Sequence, residues 1–152
     1  MKPPIELRRI DRRQGGGQVT VVARTYTAYV VACRGALGQA HALAEEFLPR
    51  AREIRDPQVL VPAVAVVSLV EQARGDLPAA VRLIEEIEAL TRDRPGFRAR
   101  HLPGSLRVCL AAGAIELGER LLDTPGHVAA RHRYSVLTGR AVLAEARPVS
   151  TE

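Results

Sequence analysis

The sequence contains few of the residues that catalytic, metal-binding or disulfide-stabilised proteins depend on. It has no tryptophan, two cysteines and four histidines, and aromatic residues make up 3% of it. Cys33 and Cys109 lie far apart in apolar stretches. We therefore expect reduced thiols that are buried as small hydrophobic side chains, and no disulfide framework. The histidines are scattered without a cysteine nearby, so we expect solvated imidazoles and no metal site.

Catalytic and phosphate-binding motifs are also missing. The three glycines at 15–17 are not followed by the Gly-Lys-Ser/Thr of a phosphate loop. Ser105 follows Pro103-Gly104 but has no glycine two residues later, so it does not form a nucleophile elbow. The acidic run at Glu85, Glu86 and Glu88 is interpreted as a solvated helix face. The sequence thus predicts no enzyme and no cofactor.

Long apolar segments are absent as well. The longest run, residues 59–70, is too short to span a bilayer and contains Pro62. The first residues, Met-Lys-Pro-Pro, lead into charged positions without the apolar centre of a secretory signal. We therefore expect a cytoplasmic protein that does not enter a membrane.

The positive net charge is concentrated near the beginning of the chain. Residues 1–20 hold five basic side chains against two acidic ones, although the net charge of the whole chain is +5. The rest is close to neutral, which weakens a nucleic-acid-binding interpretation. Lys2 is the only lysine, so nearly all of the positive charge is carried by arginine.

Residues 56–90 predict two antiparallel helices around which the rest of the chain is organised. Asp56 is expected to cap the first helix and Asp76 the second, with Gly75 in the turn between them. The first helix is apolar on all sides and therefore requires neighbours, while the second is amphipathic. A buried strand is the alternative for residues 59–70, because that run is rich in β-branched side chains. The helix formers at 71–74 favour the helix.

The remaining segments predict further helices in a single domain at residues 19–147. We expect a flexible basic leader at 1–18, a helix at about 19–34, and a second helix that continues through Pro49 with a kink. Residues 92–101 are expected to be a basic connection, followed by short helices that stop at Gly113 and near residue 124. A last helix is expected at 128–147, with a tail at 148–152. The predicted packing face of this last helix consists of Ala130, Tyr134, Leu137, Ala141 and Ala144.

A repeated pattern joins these helices. Gly35, Gly75 and Gly113 each end a predicted helix and are spaced by 40 and 38 residues. Each is followed by an aliphatic residue two positions later and a small residue five positions later. The small residues are Ala40, Ala80 and Gly118. Glycine suits a left-handed turn, and a small residue lets paired helices approach closely. Helix pairs with this period are typical of an α-solenoid.

The pattern resembles tetratricopeptide repeats over residues 19–147. Ala80 with Ile84 matches the family's small and large positions. The pairs Ala40 with Ala44 and Gly118 with Leu122 match loosely. The family's glycine and aromatic positions fall at Ser68 and Glu71, which are departures. The amino-acid sequence of these segments also resembles the helical-repeat tails of large actinobacterial regulators. Those regulators join such repeats to a P-loop ATPase, a nucleotide cyclase or a helix-turn-helix domain. The resemblance implies an all-α, right-handed array of helix pairs.

This array predicts a non-catalytic scaffold for protein–protein interaction, or a regulatory fragment. The last helix looks like half a repeat, so we expect an uncovered patch near Tyr134 and Leu137 that favours self-association or a partner helix. The arginines expected to face a partner are Arg92, Arg94, Arg98, Arg100 and Arg107. The alternative is a nucleic-acid-binding helical domain that uses the leader and residues 92–107. Only Phe97 is available there to stack a base, so nucleic acid is the less favoured partner.

Overall fold

The computed structural model describes the backbone of residues 5–146 and the side chains of residues 16–146. All regular secondary structure in that part of the chain is helical. The helices are α1 (Ile5–Cys33), α2 (Leu37–Ile54), α3 (Pro57–Arg74), α4 (Leu77–Thr91), α5 (Gly96–Ala99), α6 (Leu102–Ala112), α7 (Ile115–Leu122), α8 (Gly126–Arg131) and α9 (Arg133–Ala144). The predicted all-α class is confirmed, and the alternative of a strand at 59–70 is wrong.

The hairpin of α3 and α4 forms as its capping residues predict. The Asp56 carboxylate accepts a hydrogen bond from the Gln58 amide at 2.9 Å, and that of Asp76 accepts one from the Ala79 amide at 3.0 Å. Each bond satisfies an amide that the helix itself leaves free. Gly75 ends α3 with a φ of 86°, so the expected left-handed turn is confirmed.

Replacing Gly75 with valine is expected to reduce the free energy of unfolding by roughly 1–2 kcal/mol, because a Cβ is unfavourable at a left-handed φ. Nothing lies within 4 Å of a Cβ built on Gly75, so the cost is conformational and not a clash. Urea denaturation measures the change. Ala73→Val, on the exposed surface of α3, controls for the cost of a β-branched residue. A loss no greater than that of Ala73→Val would contradict the hairpin turn.

The core lies around α3, which α1, α2, α4, α5 and α6 cover. Val61, Val64 and Val70 are completely buried. The expectation that an all-round apolar helix needs neighbours is therefore confirmed. Packing also follows chain order. Helix α1 contacts α2 and α3, α4 contacts α3 and α6, and α9 contacts α6 and α7.

The small residues of the repeated pattern lie in tightly packed positions. Ala40 and Ala80 have no exposed surface. A Cβ added to Gly118 would lie 3.0 Å from Leu143 Cδ1 and 3.1 Å from Leu106 Cδ2. The turn glycines Gly35 and Gly113 also have positive φ values, of 82° and 69°.

The first helix begins earlier than the sequence predicted. Helix α1 starts at Ile5, so the expected start near Val19 is wrong, and residues 5–18 are helical where a flexible leader was expected. The physical reason is that glycine lowers helix propensity by about 1 kcal/mol per residue but keeps its amide donor, so it weakens a helix without ending it. Residues 1–4 and the predicted tail at 148–152 lie outside the described residues.

The predictions for the 92–101 connection and for the last helix need correction. A short helix, α5, occupies part of the basic connection at 92–101. The single helix expected at 128–147 is two helices, because His132 adopts a non-helical φ of −113° and ψ of 32°. This break lets α8 pack against α5 while α9 packs against α6 and α7.

The predicted packing face of the last helix is also wrong. The buried residues of α9 are Val136, Gly139, Val142 and Leu143, whereas the alanine and tyrosine positions of the predicted face are exposed. A Cβ on Gly139 would lie 2.6 Å from Leu106 Cδ1, so α9 lies close to α6 at this glycine. The buried face thus consists of three aliphatic side chains and one glycine, and not of the stripe of alanines.

Candidate interaction site

Arg98 lies inside the fold, so its expected role as a partner-facing residue is wrong. It retains only 5% exposure. Its Nε donates to the Leu121 carbonyl at 3.1 Å, and its guanidinium nitrogens also donate to the carbonyls of Thr91, Arg120 and Asp123. These carbonyls lie at the ends of α4 and α7. Those of Leu121 and Asp123 have no backbone donor among the described residues, whereas those of Thr91 and Arg120 also accept from the amides of Arg94 and Asp123. One buried cation thus caps two helix C-termini, an arrangement that the helix dipoles also favour.

Burial also lowers the pKa of Arg98 from its usual value, while the negative charges of Glu88 and Asp123 oppose this shift. An arginine nevertheless stays protonated in proteins. Its fixed positive charge is therefore directed at backbone carbonyls and is not available to a partner.

The other predicted arginines separate into two groups. Arg94 and Arg100 line an open cleft of about 740 Å³, together with Arg131. Arg92 instead pairs with Glu88 at 3.2 Å, which raises the pKa of Arg92, and Arg107 lies exposed on α6 away from the cleft.

We call this surface the arginine cleft. The beginning of α3, the connection that contains α5, and α8 form its walls. Its lining consists of Pro57, Gln58, Pro62, Asp93, Arg94, Pro95, Gly96, Phe97, Arg100, His101, Pro125, His127, Val128, Arg131 and His132. The volume lies in the range of about 300–1,000 Å³ that is usual for ligand sites. The lining thus combines apolar and proline side chains with cationic ones.

The arginine cleft is electropositive. It contains three arginines against one acidic side chain, Asp93. Arg94, Arg100 and Arg131 are all exposed, and none forms an ion pair with the side chains of residues 16–146. Their charge is therefore available to an anion, in contrast to that of Arg98.

Three of the four histidines also line the arginine cleft, although the sequence suggested that they were scattered. His101 Nε2 is buried and has no hydrogen-bond partner among the described residues. Burial, with a further contribution from Arg100, lowers the pKa of His101 to about 4, so its ring is neutral at pH 7. A buried polar atom without a partner is unfavourable, and a polar ligand atom that reached it would remove that cost.

A second concave surface lies between α2 and α4, above α3. Arg52 crosses it and forms a bidentate pair with Glu86, with bonds of 2.9 and 2.6 Å. The hydrogen bond to Glu86 raises the pKa of Arg52. Deeper in the groove, the buried carboxylate of Glu71 accepts from Arg74 Nη1 at 2.8 Å and lies 2.6 Å from His41 Nδ1. Charges here are mostly paired within the fold, which distinguishes this groove from the arginine cleft.

Hydrophobic side chains are exposed at both ends of the described chain. Tyr134 is 82% exposed and Leu137 51%, so the predicted uncovered patch on the last helix is confirmed. On α1, Val19, Tyr26 and Val30 are exposed as well. Cys33 is exposed, which corrects the expectation that it is buried. Cys109 is buried as expected, and burial raises its pKa to about 11.

No cluster of three or more potential metal ligands occurs among the described residues. Within residues 5–146, no helix is both long enough and apolar enough to cross a bilayer. Comparison with known protein families, characterised proteins and solved structures yields no match to this chain.

Proposed function

We propose that this chain is a non-catalytic protein-interaction scaffold, formed by helix pairs that stack as a short right-handed array similar to tetratricopeptide repeats. The order of packing supports the array. In the series α1, α3, α6 and α9, each helix packs against the next one. Helix α2 packs against both α1 and α3, α4 against both α3 and α6, and α7 against both α6 and α9. Solenoid repeats contact their nearest neighbours in the same way, and such arrays present extended binding surfaces.

The observation that carries the interaction function is the arginine cleft. It offers three arginines that form no ion pair with the described side chains, beside partly exposed apolar residues. Interfaces between proteins combine apolar contacts with charged groups that determine specificity and speed of association. We therefore propose that the cleft binds a protein partner. As part of the same proposal, the chain has a regulatory role in a larger cytoplasmic signalling system.

The alternative of nucleic-acid binding has less support. Of the five arginines expected to contact a partner, Arg98 is buried and Arg92 is paired with Glu88. Phe97 is the only phenylalanine, tyrosine or tryptophan in the lining of the cleft. Proteins that bind single strands usually provide several aromatic side chains for stacking.

Selection from a random peptide display library on the immobilised full chain tests the proposal. We expect enriched peptides to share a sequence pattern and to compete with one another for the chain. The parallel measurement is the affinity for single- and double-stranded DNA at several salt concentrations. If the selected peptides share no pattern and DNA binding weakens steeply as the salt concentration rises, the nucleic-acid alternative would replace the proposal.

A further inference from the structure

We propose that the arginine cleft binds an extended acidic peptide segment of the partner protein, with carboxylates on the arginines and an apolar side chain between them. This inference rests on the proposed function and specifies the chemistry of the partner. The charge of the cleft carries it, since its lining holds three arginines that form no ion pair with the described side chains, and a single acidic residue, Asp93.

The arrangement of the arginines favours a ligand with more than one carboxylate. Arg94 lies before α5, Arg100 directly after it, and Arg131 at the end of α8. Three cationic side chains from separate positions surround the same cleft. A guanidinium binds a carboxylate with two parallel hydrogen bonds, and it is more weakly hydrated than an ammonium, so it loses less hydration on binding than a lysine would.

The apolar lining explains why the ligand should also carry a hydrophobic side chain. Phe97, Val128 and four prolines contribute to the walls. Proline-rich walls change little on binding, because the ring restricts the backbone. Burial of one apolar side chain against them adds affinity that does not depend on salt, whereas the arginine contacts are screened by salt.

His101 adds a polar group to the same cleft. Its Nε2 is buried without a partner among the described residues. An extended peptide has an amide and a carbonyl at nearly every residue, so it complements either ring tautomer of a neutral histidine once a turn of the ring exposes Nε2 to the cleft. A side-chain carboxylate alone provides only acceptors.

Fluorescence anisotropy with a ten-residue peptide, in which glutamates flank a central leucine, tests this inference on the full chain. The matched probe has glutamine at every glutamate position, and a single-stranded oligonucleotide of equal charge represents the other class of polyanion. We expect saturable binding of the acidic peptide at low salt, at least tenfold weaker binding of the glutamine peptide, and weaker binding of the oligonucleotide. Equal affinity for the two peptides, no binding of the acidic peptide, or preference for the oligonucleotide would overturn the inference.

Substitution of three arginines locates the site. The variant Arg94→Gln, Arg100→Gln, Arg131→Gln should bind the acidic peptide at least tenfold more weakly, with an unchanged circular dichroism spectrum. The control Arg34→Gln, Arg120→Gln, Arg140→Gln removes the same charge from exposed positions outside the cleft and should change affinity by less than about twofold. Equal effects of the two variants would show attraction by net charge alone and overturn the inference. If peptide selection still yields a shared pattern, only the acidic ligand is wrong and the proposed function remains.

Discussion

Replacement of Arg98 with methionine is expected to reduce the free energy of unfolding by at least about 3 kcal/mol. The guanidinium donates to four backbone carbonyls and to the Thr91 hydroxyl, and it is nearly completely buried. Methionine fills similar space but provides no donor. The carbonyls of Leu121 and Asp123 would be left without a donor among the described residues, and each such carbonyl costs roughly 1–3 kcal/mol, whereas the carbonyls of Thr91 and Arg120 keep a backbone amide. Urea denaturation followed by circular dichroism measures the effect.

Two further variants identify the cause of the Arg98 effect. Arg107→Met removes an equal charge from the exposed face of α6 and is expected to change stability by no more than about 0.5 kcal/mol. Arg98→Lys retains the charge without the planar fork of donors and should give an intermediate loss. A loss for Arg98→Met that matches the small effect of Arg107→Met would show that Arg98 does not hold the two helix ends together.

Substitution of Gly139 by leucine is expected to cost about 3 kcal/mol, toward the upper end of the usual range for overpacking. Its Cβ alone would lie 2.6 Å from Leu106 Cδ1 and 3.4 Å from Leu102 Cβ. Both leucines are fully buried and therefore have little room to move. The new side chain should separate α9 from α6, and the thermal unfolding midpoint of the variant should fall.

The matched control is Gly38→Leu in α2, where nothing lies within 4 Å of an added Cβ. Leucine is a better helix former than glycine, so this variant should lose no stability and should gain up to about 1 kcal/mol. Equal midpoints for the two leucine variants would contradict the close approach of α9 to α6.

Local sequence signals were sufficient to predict the hairpin of α3 and α4. Asp56, Gly75 and Asp76 act on atoms within five residues of themselves, so their roles depend little on the rest of the fold. The same holds for the glycine turns at 35 and 113. The apolar surface of α3 correctly indicated a central position, because its sides had to be covered by some neighbour.

The position of each arginine could not be predicted in this way. Arg98 contacts a carbonyl 23 residues further along the chain, and its neighbours Arg94 and Arg100 are exposed. Nothing in the local pattern distinguishes the three. The arginine cleft itself depends on the break at His132, which positions Arg131 opposite the 92–101 connection. The face of α9 was predicted wrongly for a different reason: Val136, Val142 and Leu143 carry the apolar signal of the buried face, but the prediction followed the alanine positions instead.

The order of packing has a consequence for how the chain folds. Most helix contacts join elements that are near each other in sequence, such as α1 with α2, α3 with α4 and α6 with α7. Loops closed by such contacts are short, and helical proteins dominated by local contacts fold within microseconds to milliseconds. Where neighbouring elements provide most of the stabilisation, structure can also be lost in one region while another persists. Hydrogen exchange should therefore protect α3 longest, since five helices cover it, and protect the amides of α8 least.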